Sequence, residues 1–316
     1  MRVFVTGGAG FIGGHVCRVL LDAGHQVTVL DNLSSGHRES VPQGAVFIKG
    51  DLKQEAKLPQ WLAGHDVVIH FAAYIAVPVS VLEPVSFAEN NVVNTVRLLE
   101  GMRQAGVRRV VFSSSATVYG VPQRLPLRED DPVGVQNNPY GASKVSAESF
   151  MAVYAKLHGF DVTLLRYFNP YGPKELCDPE THFIPNLVRS ALTDEPVPLY
   201  WQGEQIRDFI FVEDLARAHA AVLDSKGLNV FNVGTGKGTK VKDILQVVTD
   251  ILGRPVRIND LGERPGDVHA SYAAADRIRE AVGWQAKVGL EEGLTRTVEF
   301  FRERLASGGA RRRGSA

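Results

Sequence analysis

Cysteine is almost missing from this chain of 316 residues: Cys17 and Cys177 are the two present, and no C-x-x-C occurs. Two cysteines cannot make a disulfide framework. Cys17 lies on an apolar helical face, which gives it a structural role. The nine histidines are scattered without H-x-x-x-H spacing or a Cys/His cluster, so no metal site is expected. Net charge is missing as well, with 35 basic residues against 35 acidic ones. No global field then draws in nucleic acid or an anionic membrane, and a bound anion needs a local site. No apolar run reaches the ~18 residues of a membrane span. A strand pattern beginning at Arg2 leaves no room for a signal peptide, so a soluble, cytoplasmic protein is expected.

What remains is ordinary globular material, 44% hydrophobic and 22% charged, enough for one large domain or two unequal ones. Short apolar runs at Val3–Thr6, Gln26–Leu30, Ala45–Lys49, Asp66–His70, Arg109–Ser113 and Asp161–Arg166 read as strands buried on both faces. Helical patterns such as Gly13–Ala23 and Asn90–Ala105 separate them. This alternation predicts an α/β fold with a doubly wound parallel sheet of the Rossmann kind.

After Arg166 the regularity fails. Asn169-Pro170-Tyr171-Gly172-Pro173 reads as a turn cluster, and sheet-like segments return at Asp208–Val212 and Asn229–Val233. The expected division is a nucleotide-binding domain, 1–169 plus about 208–233, and a smaller discontinuous substrate domain, about 170–207 plus 234–305. Residues 306–316, with Arg311-Arg312-Arg313, read as a disordered tail.

Between the first strand and first helix stand Gly7, Gly10 and Gly13, in a G-x-x-G-x-x-G spacing. Gly7 permits a tight turn, Gly10 lets backbone approach a pyrophosphate, and Gly13 lets the helix pack close. The free N–H groups of a helix N-terminus, here at Phe11 and Ile12, then face the phosphates. Asp31 ends the next strand and can accept both ribose hydroxyls of an adenosine. It repels a 2′-phosphate, and no arginine stands directly after it, which argues for NAD over NADP. The loop Asn32, Leu33, Ser34, Ser35, Gly36 continues that site. Asp51 and Leu52 follow another strand; Asp51 flanks the adenine or caps a helix. Phe71, Ala72 and Ala73 offer a floor of small residues at the strand ends. Asn90 begins a helix, as a cap or a cofactor contact.

Tyr140 and Lys144 are four residues apart. On a helix they share a face, and a fixed ammonium beside a phenol favours the phenolate. The pair then forms a base able to take a proton from an alcohol.

With Ser113-Ser114-Ser115-Ala116-Thr117-Val118-Tyr119-Gly120 added to these, the chain resembles an extended short-chain dehydrogenase/reductase of the NAD-dependent epimerase/dehydratase family. Within it the likeness is greatest to the UDP-galactose 4-epimerases, from Met1 to about Arg302. Further matches are Arg166-Tyr167-Phe168-Asn169-Pro170, Arg207-Asp208-Phe209-Ile210 and Arg264-Pro265-Gly266-Asp267. The resemblance implies Tyr140 as catalytic base, Lys144 as its partner on the nicotinamide ribose, and Ser115 bridging Tyr140 to the sugar 4-OH. It places Ser113 and Phe168 beside the nicotinamide. Asn169, His182, Phe183, Tyr200, Arg207, Arg264 and Asp267 fall on the sugar-nucleotide side, with the arginines near the diphosphate. The implied reaction is transient oxidation at C4, turnover of the 4-keto sugar and return of hydride to its other face.

Related dehydratases carry an Asp-Glu pair where this chain has Ala116 and Thr117, and decarboxylases a Glu nearby. The absence of a carboxylate between Ser113 and Gly120 speaks for epimerisation. A uronate epimerase or decarboxylase, a dehydratase and a non-catalytic NAD-binding sensor are the alternatives. Two departures stand out. Tyr74-Ile75-Ala76 occupies the place of a lysine that some epimerases direct to the cofactor phosphates. Ser271 stands where some carry a pocket-closing tyrosine, which implies room for N-acetylhexosamine substrates. Helices Asn90–Ala105 and Ser143–Leu157 resemble those that form the family's homodimer through a four-helix bundle.

Overall fold

The computed structural model describes residues 1–176, 182–263 and 268–307. Six apolar segments of the N-terminal half become strands β1 Arg2–Thr6, β2 Gln26–Asp31, β3 Val46–Lys49, β4 Val67–His70, β5 Arg109–Ser115 and β6 Asp161–Tyr167. A seventh, β7 Leu228–Val233, returns much later and pairs with β6. The sheet runs β3-β2-β1-β4-β5-β6-β7 with every pairing parallel. Winding reverses between β1 and β4, which opens a crevice beyond the strand C-termini.

Successive side chains on a strand point to opposite faces, so each strand feeds two cores. Val3, Val5, Val29, Ile69 and Val111 pack into one layer and Phe4, Leu30, Val68, Val110 and Phe112 into the other. The longer helices are α1 Phe11–Asp22, α2 Asn94–Ala105, α3 Pro139–His158, α4 Phe183–Thr193, α5 Val212–Ala221, α6 Val241–Leu252 and α7 Leu290–Ala306. α1 and α5 cover the first face with Val16, Cys17, Leu20, Leu215 and Ala218; α2 and α3 cover the second with Leu98, Leu99, Met102, Ala147 and Met151. Burying each Val, Leu or Met side chain among these is worth roughly 1.5–3 kcal/mol. Tyr171, Phe209 and Phe211 form a separate core with Leu187, Ile244, Val248, Leu294 and Val298 of α4, α6 and α7.

Several boundaries differ from the sequence reading. β5 and β6 run on to Ser115 and Tyr167, because the two chains pair in register to that point. Asn169–Tyr171, read as a turn, is a short strand paired with Phe209–Phe211. That second strand ends at Phe211, since Val212 already opens α5. Asn90 does not start a helix: it lies in a π turn, Glu89–Val93, which joins the helix Pro84–Ala88 to α2. α7 continues through Ala306, where the tail was expected to begin. Residues 308–316 lie outside the described residues, as do Cys177, Arg264 and Asp267.

Candidate active site

The glycine spacing has a steric cause. Gly7 adopts φ +71°, and a Cβ there would sit 2.6 Å from the backbone nitrogen of Ala72. A Cβ on Gly13 would collide with the Gly7 carbonyl and come 2.8 Å from the Gly8 Cα. α1 starts at once after Gly10, with no side-chain cap and no acid in its first turn. Its leading N–H groups are thus left for an anion. Asp31 accepts from Ala9 N at 2.9 Å and Leu33 N at 2.8 Å, which ties the carboxylate to the glycine loop. Asn32 donates to Asp51 at 2.8 Å and joins the ends of β2 and β3. Asp51 also accepts from Lys53 N at 2.8 Å, so it caps a turn and lines the cavity at once.

A single cavity of about 1420 Å³ extends from this loop, past Phe71–Ala73, to the separate C-terminal core. Gly7, Gly10–Gly13, Asp31, Asn32, Ser34–Gly36, Leu52, Asn90, Ser113 and Phe168 line it. So do Ser115, Tyr140, Lys144, Asn169, His182, Phe183, Tyr200 and Arg207. Leu33 and Ser271 are off this wall: Leu33 donates to Asp31, and Ser271 lies on a two-residue strand in register with Arg207. Arg207 donates to the carbonyls of Ile206 at 2.9 Å and His269 at 3.4 Å, which braces its guanidinium against that strand.

Asn138 caps α3 by accepting from Gly141 N at 2.8 Å, and Pro139 stands in the first turn. This start sets Tyr140 and Lys144 one turn apart on the face that meets the end of β5. Tyr140 is 9% exposed and Lys144 3%. Lys144 Nζ donates to the Ser113 carbonyl at 2.7 Å and stands 5.9 Å from the Tyr140 ring centroid. The expectation of a phenol moved toward neutrality is corrected here. Burial raises Tyr140, and the neighbouring Ser115 hydroxyl opposes that rise. The ammonium bonds a carbonyl rather than the phenol oxygen. Burial also presses Lys144 down to about 8, with Glu148 pulling the other way.

Several site residues went unread in the sequence. His70, at the end of β4, bridges Thr6 at 2.7 Å and Thr95 at 2.9 Å beneath the glycine loop. Thr95 gives its own proton to Asn91 O, so the ring donates from Nε2 and accepts at Nδ1. A polar residue in an otherwise apolar strand was its signal. Asn91 accepts from Tyr74 N at 2.8 Å and donates to Ser143 at 3.0 Å, holding the loop after β4 against α3. Asp208 collects Thr235 N, Thr235 Oγ1, Gly236 N and Ala273 N around one buried carboxylate beside Arg207. Glu175 is buried with a 2.9 Å contact to His182, and burial raises its carboxyl.

A 3-2-1-4-5-6 parallel sheet, a glycine turn into a helix, and a Tyr/Lys pair at the end of the fifth strand define a nucleotide-binding enzyme of the short-chain dehydrogenase/reductase type. A model of the NAD dependent epimerase/dehydratase family matches residues 3–234. The chain belongs to that family. It is 38% identical to a UDP-glucose 4-epimerase of Azospirillum brasilense, over 94% of this chain and 90% of that one. The UDP-glucose 4-epimerase of Thermotoga maritima, solved with UDP-glucose, is 36% identical with a TM-score of 0.91, covering 96% of this chain and 100% of its own. The Thermus thermophilus UDP-glucose 4-epimerase, solved with NAD, is 38% identical with a TM-score of 0.88, covering 96% and 99%.

Proposed function

We propose that this protein is an isomerase, a UDP-glucose 4-epimerase that inverts C4 of a UDP-hexose with tightly held NAD. The observation that carries the reading is Ser115 and Tyr140 side by side with Lys144 in a cavity that also reaches the glycine loop and Arg207. The residues fit the cofactor. The uncapped start of α1 takes the diphosphate, Asp31 the adenosine ribose, and Tyr140 with Lys144 the nicotinamide ribose. When bound, NAD supplies a reversible hydride acceptor. The chain's own task is the proton. Ser115 passes the 4-OH proton to Tyr140, and the Lys144 ammonium with the Ser115 hydroxyl favours the phenolate that burial resists. The same phenol returns the proton after the sugar has turned.

Arg207 and His182 grip the diphosphate from the far end of the cavity, with Arg264 and Asp267 assigned there by their motif. Asn169, Phe183 and Tyr200 flank the sugar nucleotide, and Ser271 is left one strand behind the wall. The domain division belongs to this proposal: 1–169 with about 208–233 holds NAD, and about 170–207 with 234–305 holds the sugar nucleotide. So does a homodimer through α2 and α3, supported by exposed Phe150, Val153 and Leu157 on α3. No described helix is long and apolar enough to cross a membrane.

NMR of C4 configuration, after incubation with UDP-glucose, UDP-galactose and dTDP-glucose, tests the reading. Both UDP-sugars should converge on one mixture without lasting NADH absorbance. Tyr140→Phe should lose on the order of 10²–10⁴ in rate while keeping its NAD. Accumulated NADH, water loss from the sugar, or an active Tyr140→Phe would overturn it.

A further inference from the structure

We infer that Glu148 is a positioning residue of the site: through a buried cluster with Arg166 and Ser114 it keeps Lys144 charged and in place. The inference rests on the roles proposed above for Tyr140 and Lys144.

Tyr140, Lys144 and Glu148 are spaced by four along α3, so they form one column on its buried face. The Glu148 carboxylate accepts from Ser114 Oγ at 2.5 Å and from Arg166 Nε at 3.0 Å. Its other oxygen accepts from Arg166 Nη2 at 2.7 Å. Ser114 stands between Ser113, whose carbonyl holds the Lys144 ammonium, and Ser115, which reaches Tyr140. One carboxylate thus fixes the strand end that carries both contacts. Arg166 is fixed in turn by the Tyr119 ring, 4.8 Å away, and by the Glu129 carbonyl at 3.5 Å.

The charge pattern points the same way. Facing Lys144 are Tyr140 and Glu148 on α3, His70 on β4, and the Phe112 ring with the Ser113 carbonyl on β5. Tyr167 and Arg166 stand behind them on β6. His70 is neutral, held down to about 3 by burial. The field of Glu148 favours the ammonium that burial disfavours. Arg166 pairs the buried carboxylate through two of its nitrogens.

Three variants of the NAD-loaded enzyme test this through the alkaline limb of kcat against pH, where Lys144 loses its proton. Glu148→Gln leaves Arg166 unpaired and should lower the limb by on the order of one pH unit. Glu148→Gln with Arg166→Met removes both charges and should bring the limb back toward the parent value. Arg166→Met alone leaves the carboxylate and should move the limb upward. Spectrophotometric titration of Tyr140, taken as the difference from Tyr140→Phe, reads the phenol without turnover. It separates failure of this inference from failure of the epimerase assignment. A limb and phenol titration unmoved in Glu148→Gln, or a double variant no nearer the parent than the single one, would overturn the inference. If Glu148→Gln does not fold, Arg166→Met decides, and an unmoved or lowered limb refutes it.

Discussion

At the scale of single residues, Asp31 is the sharpest case. Its carboxylate is fully an acceptor, and it holds the Ala9 and Leu33 N–H groups while facing the cavity. Asp31→Asn presents an amide to one of those two donors, at a cost of about 1–3 kcal/mol for the unmet pair. Calorimetric titration of the stripped protein should then show NAD binding weakened by roughly tenfold or more. NADP should lose less than NAD does, because the charge that repels the 2′-phosphate is gone. The acceptor role of Asp31 was legible from its place after the second strand. Its two backbone donors were not, because they depend on how the glycine loop folds back. Tyr140 and Lys144 were legible as a pair through their spacing, but burial, which dominates their ionisation, is a property of the assembled site. Glu148 carried the same four-residue signal and went unread because a lone carboxylate on a helix is ordinary.

Among the elements, the strands were the most legible, since a strand buried on both faces is written as an uninterrupted apolar run. Their ends were less so. Ser114 and Ser115 are polar by composition, and only pairing with Arg166 and Tyr167 makes them strand. The π turn had no local signature, because Glu89–Val93 reads as plain helix. Beneath these elements lie two buried histidines. Burial lowers His70 to about 3 and His219 to about 4, and each ring is neutral and hydrogen-bonded on both nitrogens. Their folded values lie below the unfolded value of ~6.5. The stability they contribute is therefore present above pH ~6.5 and lost as pH falls toward their folded values, roughly 1.4 kcal/mol per pH unit for each ring. Melting temperatures should drop steadily between pH 6.5 and 4.5, and His70→Gln should flatten that slope. An equal slope in the variant would assign acid lability elsewhere.

For the molecule as a whole, the proposed dimer makes a separable claim. Phe150, Val153 and Leu157 are 40%, 46% and 67% exposed on α3, spaced three and four apart so that they form one stripe. Val81, Leu82 and Val85 are exposed on the short helices packed against α3. Replacing Phe150 and Leu157 by Glu should halve the mass found by sedimentation at micromolar protein while leaving the far-ultraviolet spectrum intact. A parent chain already monomeric at that concentration would rule the interface out. The path of the main chain has another effect. β6 is complete by Tyr167, yet β7, which covers its outer edge, is not made until Leu228–Val233. During synthesis some sixty residues must leave the ribosome while that edge shows unpaired N–H and C=O groups and an apolar face. The last-added strand therefore acts as a seal. Until it docks, the growing chain is most exposed to pairing with its neighbours.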